Sequence, residues 1–291
     1  MILVLGASSF IGRHFFEVQG KNAIGTHMRN PIPGTVFYDA TRMRLPDILP
    51  VDTKISQAII FYGITEVDQC KRDIERSNEI NVESIKLIIN DLVEYKIKPV
   101  FISSEYVFNG LKGNYREGDK ADPVTVYGAQ KLEIEEFLVR HCKDYVILRL
   151  AKVFGTDPSS ATILSKWLEQ IRNSEEIYCA YDQVFSPIHV DDVVAMISAV
   201  IKLNASGIYH VSNVESCSRL DMLKILSQSL KMNARIVQCS LKDLKFLDNR
   251  PLDLSLCPEK IIETTGIRPK SIRSCCEEFS SQIKSNSLAR E

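Results

Sequence analysis

The chain lacks a long apolar run, a surplus of one charge, a metal-type cysteine spacing and an internal repeat. Each absence removes a class of function. No stretch reaches the roughly 18 apolar residues that a membrane span needs. The apolar start, MILVL, meets Gly6 after five residues and carries no basic stretch, which is too short for a signal peptide. A cytoplasmic protein is expected. Lys plus Arg number 36 against 37 for Asp plus Glu, so the net charge of -1 gives no reason to expect nucleic acid or an anionic membrane as partner. The eight cysteines, at 70, 142, 179, 217, 239, 257, 275 and 276, include no Cys-x-x-Cys pair, so neither a disulfide framework nor a metal is expected. What remains is a chain of 291 residues, 45% of them hydrophobic. That is too apolar for disorder, and long enough for two domains or one large α/β unit.

The first half alternates short apolar runs with amphipathic stretches. Strands are expected at 2–5, 23–28, 35–40, 57–63, 100–103 and 145–150. Helices are expected over 6–19, over about 73–94 as one long element, and over 132–141. The second half is less regular: helices at 161–173, 190–202 and 219–230, a strand at 206–212, and breaks around Pro251, Pro258 and Pro269. Strand–helix alternation implies right-handed crossovers and a mostly parallel sheet. The expected class is α/β, a Rossmann-type doubly wound sheet with a smaller mixed α/β C-terminal lobe. Residues 1–155 would form the cofactor domain, with 186–209 returning to it, and 156–185 and 210–291 would form the lobe.

Gly6-Ala7-Ser8-Ser9-Phe10-Ile11-Gly12 follows a strand and opens a helix, the context in which a dinucleotide phosphate meets a helix N-terminus. Gly6 suits the tight turn and Gly12 the close helix–strand packing. Ser9 stands where a middle glycine is expected, and its N–H can still face phosphate. No acidic residue ends the second strand, where one would bind the ribose 2′-hydroxyl of NAD. Arg29 there suits the 2′-phosphate of NADP, or is a surface arginine. NADP(H) is therefore favoured over NAD(H). Asp39 belongs at the adenine edge or caps a turn.

Tyr127 and Lys131 are spaced to share one helical face. A lysine ammonium near a phenol would lower its pKa towards neutrality, which suits a proton donor to a carbonyl that receives hydride. Ser104, at the end of the fifth strand, can donate a hydrogen bond to the same oxygen. His189 is expected to support the loop before Asp191 and Asp192. Trp167 is core or pocket wall.

With GASSFIG (6–12), EVDQC (66–70), NEIN (78–81), SSEYVFNG (103–110), PVTVYGAQK (123–131), LRLAKVFG (148–155), DQVFSPIHVDDV (182–193) and RPLDLSL (250–256), the chain resembles the extended short-chain dehydrogenase/reductase superfamily. Within it, the nearest resemblance is to the dTDP-4-dehydrorhamnose reductase family. The resemblance implies a triad of Ser104, Tyr127 as general acid, and Lys131, which would also bind the nicotinamide ribose. It implies a phosphate loop at Gly6, Ser8, Ser9, Phe10, Ile11 and Gly12, and a nucleotide-sugar in the C-terminal lobe with Arg250 on its diphosphate. Lys152 and Glu105 replace the residues usual in that family beside the sugar, so the substrate is a 4-keto-deoxysugar nucleotide that need not be the namesake one. The expected enzyme is an NAD(P)H-dependent reductase without metal, monomeric or homodimeric. An epimerase of the same superfamily, or a non-catalytic NADP-binding regulatory subunit like the methionine adenosyltransferase beta subunit, are the alternatives.

Overall fold

The apolar runs of the first half assemble one parallel sheet. The structure is a computed structural model that describes residues 1–50 and 53–288; the last three residues of the expected lobe, 289–291, lie outside the described residues. The sheet uses β1 (Ile2–Leu5), β2 (Ala23–His27), β3 (Thr35–Phe37), β4 (Gln57–Ile60), β5 (Lys98–Ser104), β6 (Val146–Leu150) and β11 (Gly207–Val211). Their order is β11-β6-β5-β4-β1-β2-β3, every pair parallel. β1 therefore lies between β2 and β4, where chain order reverses and ligands of such sheets gather beyond the strand C-termini. β4 and β5 are buried along their whole length, because helices cover both faces.

One face packs on α1 (Phe10–Gln19), α7 (Val190–Lys202) and α9 (Glu259–Thr265), through Phe15, Met196, Ile197 and Ile261. The other packs on α4 (Ser84–Glu94) and α5 (Val126–His141), through Ile85, Ile88, Ile134 and Leu138. A third apolar cluster joins α6 (Ile163–Arg172), β8 (Glu176–Ala180), α8 (Arg219–Leu230) and α10 (Ile272–Leu288). Trp167 and the adjacent Cys275 and Cys276 are buried in it. Ile261, which falls in the stretch expected for the lobe, packs in the cluster on this face of the sheet.

The expected helix over 73–94 needs correction. A separate helix, α2 (Val67–Arg72), precedes it, and the stretch itself is divided into α3 (Ile74–Asn78), a π-helical turn (Glu79–Glu83) and α4. Asp73 leaves helical geometry and caps α3, its carboxylate accepting from the Arg76 N–H at 3.0 Å. The π turn places Asn81 inward, where it bonds the Ile64 N–H at 2.7 Å and the Gln130 side chain at 2.9 Å. The helix expected from Leu132 begins six residues earlier, because Thr125 caps it by accepting from the Gly128 N–H at 2.9 Å.

Short strands in the second half went unforeseen. β7 (Val153–Phe154) pairs with β10 (Ile188–His189), β9 (Val184–Phe185) with β12 (Cys217–Ser218), and β8 with β13 (Arg235–Cys239). His189 is the N-cap of α7, its ring accepting from the Asp191 N–H at 3.2 Å. Among the described residues no helix is long and apolar enough to cross a membrane, and no group of three His, Cys, Asp or Glu is placed to hold a metal ion.

Candidate active site

The turn after β1 is built from backbone. Gly6 adopts φ +84°, and its N–H donates to the Thr26 hydroxyl at 3.0 Å, tying the turn to β2. Ser9 is the N-cap of α1, and its hydroxyl accepts from the Gly12 N–H at 3.2 Å. A Cβ on Gly12 would collide with the Gly6 carbonyl oxygen and the Ser9 hydroxyl, so only glycine lets the helix approach the strand this closely. A ten-residue helix thus starts at the sheet's switch point, and Ser9, Phe10 and Ile11, which line the cleft, carry N–H groups at the helix start. These are the donors a dinucleotide pyrophosphate requires, so the residues present fit a nicotinamide cofactor.

A cleft of about 500 Å³ opens beyond the C-termini of β4, β5 and β6. Ser9, Phe10 and Ile11 line it from the glycine loop, and Ser104, Glu105 and Tyr127 from β5 and α5. Lys152, Arg219 and Arg250 line it from β6 and the lobe. Gly6, Ser8 and Gly12 shape the turn without forming the wall. Arg29 and Asp39 lie away from it: Arg29 is exposed beyond β2, and Asp39 accepts from the Thr41 N–H and hydroxyl at 3.1 and 2.7 Å, capping its own turn.

Ser104, Tyr127 and Lys131 are all buried and converge, because β5 ends where α5 begins its first turn. Burial pushes the Tyr127 phenol well above the ordinary tyrosine range, and the neighbouring Ser104 hydroxyl pulls the other way. The expectation that Lys131 lowers that pKa is corrected here. Its ammonium donates to the Ile102 carbonyl at 2.9 Å and lies 5.7 Å from the Tyr127 ring centroid. Burial lowers the Lys131 pKa to about 8, opposed by Cys70 and Glu135. Burial therefore dominates at Tyr127, which is held in its neutral, proton-carrying form.

Glu105 is 5% exposed, and its Oε2 has no hydrogen-bond partner. Burial raises its pKa to about 8; only Lys152, through its charge and its backbone amide, opposes this. Lys152 is open to water within the cleft, but protein surrounds it on most sides, and this desolvation together with the Arg219 charge holds its ammonium below the usual lysine range.

Arg250 is not free. It bridges to Asp68 at 2.7 Å, donates to the Asp248 and Asn249 carbonyls at 3.2 and 3.1 Å, and lies over the Phe246 ring at 4.6 Å. Asp68 also accepts from the N–H groups of Leu247 and Asp248, both at 3.2 Å. Asp248 in turn accepts from the Val126 N–H at 2.8 Å, beside Tyr127. Asp68, Asp248, Arg219 and the Asn81–Gln130–Ser77 chain escaped the sequence reading. Asp68 stood inside the EVDQC motif, but nothing in a linear chain marks its partner 182 residues away.

Comparison with known proteins gives four findings. A family model described as the RmlD substrate binding domain matches residues 1–285. The spore coat polysaccharide biosynthesis protein SpsK of Bacillus subtilis is 31% identical over 221 residues, 75% of this chain and 76% of that protein. The methionine adenosyltransferase 2 subunit beta of Danio rerio is 24% identical, over 79% of this chain and 74% of its own. Among solved structures, a hypothetical dTDP-4-dehydrorhamnose reductase from Sulfolobus tokodaii superposes with a TM-score of 0.83 at 24% identity, covering 93% of this chain and 97% of its own.

Proposed function

The chain belongs to the RmlD substrate binding domain family, within the extended short-chain dehydrogenase/reductase superfamily, and from that premise we propose that it reduces a nucleotide-linked 4-keto-deoxysugar. The family makes it an NAD(P)-dependent oxidoreductase acting on nucleotide sugars. One observation carries the finer reading: a buried, neutral Tyr127 and the Ser104 hydroxyl share a single cleft with the N-terminus of α1. When bound, the nicotinamide cofactor supplies hydride to the ketone carbon. The chain's own part is proton delivery and charge stabilisation. Ser104 holds the carbonyl oxygen, and Tyr127 gives its proton as that oxygen becomes an alkoxide. Lys131 lies beside them with a proton of its own near neutrality.

Residues 9–11 would hold the pyrophosphate through their backbone N–H groups. Arg29, exposed and with no hydrogen bond or ion pair among the described residues, favours NADPH. The body around α6, α8 and α10 would be the sugar lobe, with Arg250 placed for the diphosphate once released from Asp68. Tyr127→Phe is expected to lower turnover by about 10²–10⁴-fold on dTDP-, UDP-, GDP- or CDP-linked 4-keto sugars while leaving NADPH binding intact. Unchanged turnover would sink the reading.

A second reading has its own support. Lys131 is engaged by the Ile102 carbonyl, and the zebrafish relative bears the name of a subunit of another enzyme. In that reading the chain binds NADPH as a non-catalytic regulatory subunit. NADPH binding with no turnover across the sugar panel would favour it. A nucleotide-sugar epimerase would instead retain its cofactor through purification.

A further inference from the structure

Two cations in the cleft have no work within the protein. Among the described residues, neither the Lys152 ammonium nor the Arg219 guanidinium makes a hydrogen bond or salt bridge; Arg219 only rests over the Trp167 ring at 5.9 Å. Both line the cleft that holds Ser104 and Tyr127. Like charges converging in a half-enclosed space repel, and nothing nearby settles the account: Lys166 adds a third cation, Glu66 is exposed at the rim, and Glu105 is kept from ionising by its burial. Arg250 makes the contrast, since Asp68 already neutralises it.

Position narrows what the free pair awaits. Lys152 stands two residues beyond β6, next to the strand that ends at Ser104, and Glu105, the residue after that serine, feels its charge and its backbone amide. It therefore borders the reacting carbonyl, whereas Arg250 belongs to the loop held by α2. An ammonium and a guanidinium fork that line the same cleft as Ser104 and Tyr127 suit an oxyanion carried by the sugar itself.

We propose that Lys152 and Arg219 form an oxyanion subsite beside the reacting centre, and that the sugar handled by this chain carries a carboxylate there. The inference rests on the nucleotide-sugar reading of the cleft and specifies its substrate class.

The test uses the full chain saturated with NADP⁺ and unreactive matched ligands, UDP-glucuronate against UDP-glucose, and the dTDP-linked equivalents, with affinities from calorimetry. The uronate is expected to bind about tenfold or more tighter than its neutral partner, the range of a charge-assisted hydrogen-bonded pair. Lys152→Met and Arg219→Gln should each erase most of that preference and leave the neutral ligand within about twofold, and Lys152→Glu should reverse it. Equal affinity for both sugars in the unmodified chain would overturn the carboxylate subsite and leave the nucleotide-sugar reading standing. So would variants that weaken both ligands alike, because the cations would then be holding the diphosphate. Binding of neither series by the folded, NADP⁺-saturated chain would sink both. Thermal melts of the variants separate loss of fold from loss of preference.

Discussion

The two ends of the cleft are made of different material. The end proposed for the cofactor is shaped by backbone: a left-handed Gly6 and a Gly12 with no room for a Cβ form the turn behind Ser9, Phe10 and Ile11, which line the wall at the start of α1. At the substrate end the surface is side chains from five separated places: Glu105, Lys152, Arg219, and the Asp68–Arg250 bridge. A backbone surface recognises what every dinucleotide shares, and it tolerates exchange of the residues between its glycines. A side-chain surface can be rewritten one residue at a time, which is how a single scaffold serves different sugars.

Four changes probe that contrast. Gly12→Ala should do the greatest damage, since the added methyl meets a carbonyl rather than a flexible side chain. A loss of about 3 kcal/mol is expected in denaturant unfolding, together with weakened NADPH binding. A stable variant with intact cofactor affinity would show that this end is not sterically fixed.

Glu105→Gln comes next, and its effect depends on pH. Folded Glu105 keeps its proton to about pH 8, against an ordinary 4.5. Between those values unfolding releases a proton, so the native state loses stability as pH rises, having kept it in full below 4.5. The glutamine variant escapes this loss. Its advantage over the parent chain should grow from pH 5 to pH 8, by about 3–4 kcal/mol. A gap independent of pH would mean that Glu105 is ionised in the fold.

Asp68→Asn should cost about 1 kcal/mol in stability, from one charge-assisted bond at a half-exposed site. It should also release Arg250 and so lower KM for the nucleotide-sugar while sparing NADPH affinity. If both affinities change together, the two ends are not separable. Arg29→Ala is the mildest: NADPH affinity is expected to drop by about three- to tenfold, with NADH unaffected. Equal response of both cofactors would remove Arg29 from the 2′-phosphate.

The same contrast explains what could be read in advance. Strands β1, β4, β5 and β6 announce themselves as short apolar runs, and the glycine spacing marks the turn after β1, because both are local in sequence. Ser104, Tyr127 and Lys131 could be chosen by type and spacing, but the balance among them could not. That Lys131 turns to the Ile102 carbonyl and Tyr127 keeps its proton depends on how deeply β5 and α5 bury them. The π turn at Asn81 follows from partners at Ile64 and Gln130, which are distant in sequence, whereas the break at Asp73 is set locally by its own cap on the Arg76 N–H. The two-residue strands of the lobe exist only as pairs, so no single segment foretells them.

The loop after β13 has an implication for engineering. Asp248 closes the first turn of α5, Asn249 donates to the Val124 carbonyl at 3.1 Å, and Asp68 holds both loop and arginine from α2. The lobe is therefore not a detachable module. A chimera that takes residues 210–288 from one relative and the sheet from another would leave the Val126 N–H, at the start of the helix bearing Tyr127, without its Asp248 acceptor. A successful transplant has to carry α2 and the segment before Val126 along with the donor lobe.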